Sequence, residues 1–387
     1  MAKHDVEQNI ARMKVNEMIN TLTPLIVGCT SGKDMPAINL SGPPGIGKSD
    51  GIKMLAKKVA DITHKSVHVH DIRLLNMNPV DLRGIPSKVQ IDWKHQIETL
   101  NKQTNEMEPQ IVVDKVDVAR WLRPEIFQME DTDEVINFLF LDEITAAPQS
   151  VQAAAYQLVL DRKVGEHKLP NNCFVFCAGN RVTDKSVAYK MPKALANRMC
   201  HIEIFADIDD WKIWALNNDI DQRIIGFLNF KNEALFIFDP SKDDLAYPTP
   251  RTWAIANNFL KKVPNMEACY PLIAGAIGVG TATELMGYSK VYSSLPDIDG
   301  IFAGKDVPYP QNKMDVSYAL SSALVSKANK ANKKQINNMI MWLKNWEPDY
   351  TVLTLKDCVK NDKIRRWMIE LPAWTEWFTK NRDLITL

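Results

Sequence analysis

The chain has 387 residues, 45% of them hydrophobic, and its 47 lysines and arginines balance 47 aspartates and glutamates. A length of this order holds two or three domains and buries a large core, while zero net charge removes any general attraction to nucleic acid or anionic lipid, so that binding of either kind would have to be local. No run of about 18 apolar residues suggests a membrane span, Met1 to Asn9 lacks the basic-then-apolar order of a secretory signal, and the expected location is cytoplasmic.

From the N-terminus, Val6, Ile10, Met13, Ile19, Leu22 and Ile26 fall near helical spacing and predict a helix over 5–27, with Gly28 to Asp34 a loop leading into the first strand. Ala37-Ile38-Asn39-Leu40 reads as that strand. It runs into GPPGIGKS, Gly42 to Ser49, after which Ile52, Leu55, Val59 and Ile62 fall on one face of a helix. Apolar or alternating stretches then recur at Val67 to Leu75, Phe138 to Leu141, Phe174 to Ala178 and Ile202 to Phe205, with helices between them. Such alternation predicts an α/β domain with a parallel sheet covered by helices. The stretch from Lys88 to Glu134 is mixed in polarity and reads as an insertion carrying a hairpin or short helices. Beyond Phe205 the pattern is helical almost throughout, clearest over Asp209 to Asn217, Arg223 to Phe230 and Thr252 to Val263, and marks a second, smaller domain. From about Val291 a Pro- and Gly-bearing loop runs through Gln311, and further helices end in Trp367, Trp374, Trp377 and Phe378.

GPPGIGKS matches the full phosphate-loop pattern G-x-x-x-x-G-K-[ST] in the strand, loop and helix order that such a site requires. Gly42, Pro43, Pro44, Gly45, Ile46 and Gly47 form the loop, whose glycines let successive backbone N–H groups turn inward around a phosphate chain. Lys48 supplies positive charge for the β- and γ-phosphates, and the Ser49 hydroxyl can hold Mg²⁺. The implied ligand is ATP. Hydrolysis also needs a metal, a positioned water and positive charge facing the transition state. Asp142-Glu143 closes a buried strand at the carboxyl end, where ligands of such sheets bind; Asp142 is expected to hold Mg²⁺ through its water shell and Glu143 to orient and polarise the attacking water. Asn180, following the next apolar strand, should emerge at the same edge and hydrogen-bond both γ-phosphate and water.

Other signals read as structural. The six cysteines are scattered, and no second Cys or His pair beyond Cys173 and Cys177 has ligand spacing, which argues against zinc. His68 and His70 share a strand face and read as packed or hydrogen-bonded residues rather than metal ligands. Glu130 to Glu134 lacks the glycine turn and later bidentate acid of a calcium loop. Lys327, Lys330, Lys333 and Lys334 read as a solvated helix face rather than a phosphate patch. The terminal tryptophans read as packing against the helical domain, with docking of a partner or adjacent subunit as the alternative.

The order of segments is similar to the AAA+ ATPases and resembles their MoxR-like, dynein-related branch. The stretches that carry it are GPPGIGKS at Gly42, NPVDLRGIP at Asn78, FLFLDEITAAPQSVQAAAYQLVLDRKVGEHKLP at Phe138, AGNRVTDKSVAYKMPKALANR at Ala178 and YPTPRTW at Tyr247, spanning about two thirds of the chain. The resemblance implies that Arg198 is an arginine finger reaching into a neighbouring subunit's ATP site, with Arg181 a competing candidate, and that Arg251 is a second sensor contacting the γ-phosphate. It implies a hairpin over Val164 to Pro170 with Gly165 in its turn.

On this reading, residues 1–34 form an N-terminal helix and linker, 35–207 the nucleotide-binding domain with its insertion at about 88–134, 208–290 a helical lid and 291–387 a helical extension. The resemblance further implies a homo-oligomeric ring, most simply a hexamer, that hydrolyses ATP to remodel or chaperone a protein client, often with a partner bearing a von Willebrand factor A domain. Two rivals stand beside it. A nucleic-acid motor or loader is disfavoured by the neutral charge balance and the lack of a DNA-binding module, and a non-catalytic ATP-binding switch scaffold is disfavoured by Glu143 and Arg198.

Overall fold

The computed structural model describes residues 10–100, 107–165, 167–184, 189, 191–291, 295–310 and 314–381. Val6 of the expected first helix lies outside these residues, as do 185–188 and 190 of the fourth resembling stretch, Glu166 of the expected hairpin, and 292–294 and 311 of the expected loop. The chain divides into two compact units, one made chiefly of Glu17–Pro43 and Lys48–Ile204, the other of Pro44–Gly47 and everything from Phe205 onward.

The first unit is built on a six-stranded parallel sheet. Its strands are β1 (Ala11–Met13), β2 (Ala37–Ser41), β3 (Ser66–Arg73), β6 (Val135–Asp142), β9 (Cys173–Gly179) and β10 (Met199–Ile204), in the spatial order β1-β10-β2-β9-β6-β3. Residues of β6 from Val135 to Leu141 are all buried, as continuous apolar runs in a sheet covered on both faces should be. Phe138 packs on Phe176 at 4.9 Å between ring centroids and on Phe174 at 6.2 Å. Helices α1 (Val15–Gly28), α2 (Lys48–Thr63), α3 (Pro79–Arg83), α4 (Gln149–Asp161) and α5 (Lys193–Ala196) complete the unit. The α2 helix buries Ile52, Leu55 and Val59 as its spacing predicts, whereas Ile62 in its last turn is 50% exposed.

The N-terminus departs from the expected helix. Ala11–Met13 instead pairs in parallel with β10, Ala11 opposite Ile202 and Met13 opposite Ile204, and the helix begins only at Val15. Ile10 and Met13, three apart, fit a helical face in isolation. The free edge of β10 offers backbone partners that a frayed helix start lacks, and sheet pairing wins.

The insertion is a hairpin. β4 (Pro86–Leu100) and β5 (Met107–Trp121) pair antiparallel along their whole length, which at about 3.3 Å per residue gives arms of roughly 50 Å. The register puts Val89, Ile91, Trp93 and Ile97 on one face with Val118, Val116 and Val112. A second, minor hairpin, β7 (Lys163–Val164) with β8 (His167–Lys168), turns at Gly165 with φ 54°, where the resemblance implied one.

Some of the residues read as structural have visible partners. His70 Nε2 lies 3.0 Å from Asn137 Oδ1, Asn137 and Asn172 donate to the carbonyls of Glu130 and Thr132 in the acidic connection, and no cluster of three possible metal ligands occurs among the described residues.

The second unit is helical: α6 (Ile208–Asn217), α7 (Gln222–Phe230), α8 (Pro250–Lys262), α9 (Met266–Ile277), α10 (Val279–Val291), α11 (Ile298–Ala303), α12 (Met314–Lys330), α13 (Lys333–Leu343), α14 (Pro348–Val359), α15 (Asp362–Ile369) and α16 (Pro372–Lys380). It holds two cores, one around Trp253 and Phe227 and one around Trp342 and Leu343. A chain of ring contacts, Trp253–Phe227–Tyr288–Phe230–Tyr318–Tyr350–Trp346–Trp342, joins them with centroids 5.3 to 5.9 Å apart. Trp374 and Trp377 are buried in the second core and Trp367 packs partly against it, so packing takes these residues and leaves the docking alternative without an exposed tryptophan patch. Lys327 pairs with Asp299 at 2.5 Å and Lys333 with Glu370. No helix of the described residues is long and apolar enough to cross a membrane.

Candidate nucleotide site

Strand β2 ends at Ser41, and the backbone then turns through Gly45 (φ 78°) and Gly47 (φ 98°) before α2 begins at Lys48. Positive φ of this kind suits glycine alone among common residues. A Cβ on Gly47 would meet nothing within 4 Å, so the requirement there is conformational, and Ile46 between the two is buried at 3% exposure. The α2 N-terminus behind the loop presents the positive end of the helix dipole, and the first-turn N–H groups of any helix lack intrahelical acceptors, a setting that favours an anion.

Three other segments converge on the same residues. The Lys48 ammonium donates to the carbonyls of Gly42 (2.7 Å) and Pro43 (2.9 Å) and to Asn180 Oδ1 (3.2 Å). Ser49 Oγ donates to Asp142 Oδ2 at 3.0 Å. Lys48, Ser49, Asp142 and Asn180 thus form one cluster, as sheet order requires: β2 lies beside β9, and β9 beside β6. The donor set fits a nucleotide and Mg²⁺, since glycine backbone, an ammonium, a hydroxyl and a carboxylate offer phosphate and a hard cation their preferred partners.

Glu143 leaves the strand in an unusual way. Its φ of 58° is left-handed, costing a non-glycine residue about 1–2 kcal/mol, and its N–H donates to Asp142 Oδ1 at 2.9 Å. The chain is recaptured at once, Ile144 N–H donating to Ala178 O at 3.0 Å. Surroundings that hold such a conformation often mark function. Here they include Gln152 on α4, whose amide donates to Ala147 O at 3.0 Å while Tyr156 donates to its Oε1 at 2.9 Å.

Thr145, which lies within the stretch beginning at Phe138 but has no role assigned by it, joins the same cluster. Its hydroxyl donates to the Asn180 carbonyl at 3.2 Å, and a Cβ on Gly179 would come within 2.6 Å of that hydroxyl. Glycine before Asn180 is therefore a matter of close approach. The adjacent Arg181 is held by Asp184 at 2.7 Å and Glu203 at 3.1 Å; burial opposes its charge, but the two carboxylates outweigh burial and raise its pKa.

Two further predicted residues, Arg198 and Arg251, take no part in these hydrogen bonds. Arg198 follows α5, its N–H bonded to Leu195 O at 2.9 Å; its side chain is exposed, with no hydrogen bond or ion pair among the described residues. Arg251 lies in the first turn of α8 in the second unit. Thr249 caps that helix, the Arg251 N–H donates to Gly45 O at 3.1 Å, and a Cβ on Gly45 would meet Thr249 Oγ1 at 2.7 Å. The Arg251 side chain is exposed.

No protein-family model matches the chain, and no curated protein does. Solved structures do match at low similarity. A chain from Cytophaga hutchinsonii named as a candidate ATPase is 15% identical, with 89% of this chain and 83% of that one covered and a TM-score of 0.31. A point mutant of RuvB from Thermotoga maritima is 13% identical, with 81% and 86% covered and a TM-score of 0.35. The ORC2 protein of Aeropyrum pernix, in ADPNP and ADP complexes, is 10% identical, with 77% and 75% covered and a TM-score of 0.34.

Proposed function

We propose that this chain is a MoxR-like AAA+ ATPase that works as a homo-oligomeric ring, a hexamer by resemblance, and uses ATP hydrolysis to remodel or chaperone a protein client. A partner with a von Willebrand factor A domain belongs to the same proposal. One observation carries the reading: the phosphate loop, the acid-ended strand β6 and Asn180, far apart in sequence, are hydrogen-bonded together through Lys48 and Ser49. Zero net charge favours a protein client over nucleic acid.

In the proposed mechanism, Gly42 to Gly47 wrap the phosphate chain and Lys48 balances charge at the β- and γ-phosphates. Ser49 and Asp142 are the residues that would hold Mg²⁺, which when bound neutralises charge that builds up in the transition state. Glu143, whose carboxylate has no partner among the described residues, orients and polarises the water that attacks the γ-phosphorus. The Asn180 amide steadies that water and the γ-phosphate, and Arg251 contributes charge as the second sensor.

Arg198 is proposed to act in a neighbouring copy's site. Its exposed side chain, with no partner among the described residues, supports that role, whereas Arg181 is committed to Asp184 and Glu203. Such a finger supplies roughly a thousandfold or more in rate, about 4 kcal/mol of barrier.

The test is the Glu143→Gln protein. It should bind ATP as the wild type does, fail to turn it over, and retain a client in pull-down with ATP but not ADP. Undiminished turnover would remove Glu143 from the mechanism, and loss of nucleotide binding would reassign it to structure.

A further inference from the structure

Asn39 and His201 face each other across neighbouring strands. The parallel register of β2 and β10 sets them directly opposite; Asn39 Nδ2 lies 3.1 Å from His201 Nδ1, and His201 Nε2 lies 2.8 Å from Ala196 O. The Ala196 carbonyl only accepts, so Nε2 carries the proton, Nδ1 accepts from the Asn39 amide, and the chain of donors runs one way from Asn39 to Ala196. Both ends matter to the proposed reaction. Asn39 is three residues before Gly42, and Ala196 is two residues before Arg198.

The placement of Asn39 is costly. It is 5% exposed on a strand whose Ala37, Ile38 and Leu40 are buried, and its Oδ1 has no hydrogen-bond partner among the described residues. Leaving a buried amide oxygen unpaired is unfavourable, and a valine there would avoid it. A side chain kept only for packing has no need of that polar atom. His201 fixes the last carbonyl of α5, a helix of only four residues, so the bond secures the segment that presents Arg198.

We infer that Asn39 and His201 are positioning residues that tie the phosphate-loop strand to the Arg198 segment, so that the loop's nucleotide state is passed to the arginine offered to the next copy. This rests on the ATPase reading above. His201 touches no reacting atom; it acts through Arg198.

The test is a double-variant cycle on the full-length assembled protein, measuring kcat, KM and the affinity for a fluorescent ADP analogue. His201→Ala should lower kcat by about tenfold with nucleotide affinity unchanged, and His201→Gln, which keeps one donor and one acceptor, should recover part of it. In an Arg198→Ala background, His201→Ala should add less than about twofold, because both act through one group. Asn39→Leu, which removes the donor and the unpaired oxygen together, should lower kcat without lowering the melting temperature. Full multiplication of the His201 and Arg198 effects would overturn the inference, as would unchanged kcat in both His201→Ala and Asn39→Leu. Wild type and Lys48→Ala measured alongside report on the ATPase reading by itself: equal rates for those two would sink that reading and this inference with it.

Discussion

The Thr145 hydroxyl donates to the Asn180 carbonyl at 3.2 Å, fastening the turn after the paired acids to the residue that accepts from Lys48. Both segments sit at the carboxyl edge of the sheet, and the bond fixes the Asn180 backbone while leaving its amide toward Lys48. Thr145→Val keeps the shape and deletes the bond. The expected outcome is a fall in kcat of about tenfold, equivalent to about 1.4 kcal/mol, with ATP affinity within about twofold. Steady-state ATPase kinetics with a nucleotide titration check it; a loss confined to affinity would show that Thr145 supports binding instead.

Cys200 is exposed and lies two residues from Arg198, whereas Cys173, Cys177 and Cys358 are buried. Burial pushes the Cys173 thiol up to about 12, against a partial opposing effect of Arg162, so it holds no appreciable thiolate at neutral pH. Cys200 should therefore label rapidly with a maleimide in the dilute protein and slow by about tenfold once ATP-bound rings form, since labelling tracks access. The rate is read by mass spectrometry of the 200-containing peptide. Equal rates in both states would place Arg198 away from any seam between copies.

The helical unit should be acid-sensitive through one ion network. Lys212 and Asp357 are each 4% exposed and pair at 3.1 Å, and Lys360 bridges Asp357 at 2.9 Å to Asp209 at 3.2 Å. Burial works to raise the Asp209 pKa, but Lys212 and Lys360 outweigh it and hold the group below its ordinary value. A depressed carboxylate stabilises the fold above its unfolded pKa, about 4, and that stabilisation is lost as pH falls through the folded value. Thermal melts should show Asp209→Asn less stable than wild type at pH 7, the gap closing toward pH 3. A constant gap would mean that Asp209 contributes nothing through its charge. Asp357→Asn, which leaves Lys212 and Lys360 with Asp209 as their remaining carboxylate, should lower stability at pH 7 by urea unfolding.

Much of this was legible in the residues, for identifiable reasons. Phe138 to Leu141 and Phe174 to Ala178 are buried on both faces, so unbroken apolar runs announced central strands. GPPGIGKS constrains the backbone closely, so eight residues sufficed to predict a glycine turn between a strand and a helix, the order that β2 and α2 take. The 86–121 ribbon was readable only as a hairpin or short helices, because both of its faces are largely exposed and Thr99, His95 and Gln96 dilute the period-two pattern. Ala11–Met13 was missed because three residues carry too little periodicity to separate an edge strand from a helix start. Thr145, Asn39 and His201 were invisible for a different reason: their partners lie across strands, and only the register brings them together.

In the proposed mechanism, Lys48 of one copy and Arg198 of another serve a single ATP. Mixing Lys48→Ala with Arg198→Ala protein, each strongly impaired alone, tests it in one assay. Mixed rings should contain seams where an intact phosphate loop faces an intact arginine, and ATPase activity should return as a function of the mixing ratio, peaking near equal amounts. No recovery, with mixed assembly demonstrated by native mass spectrometry, would contradict the account.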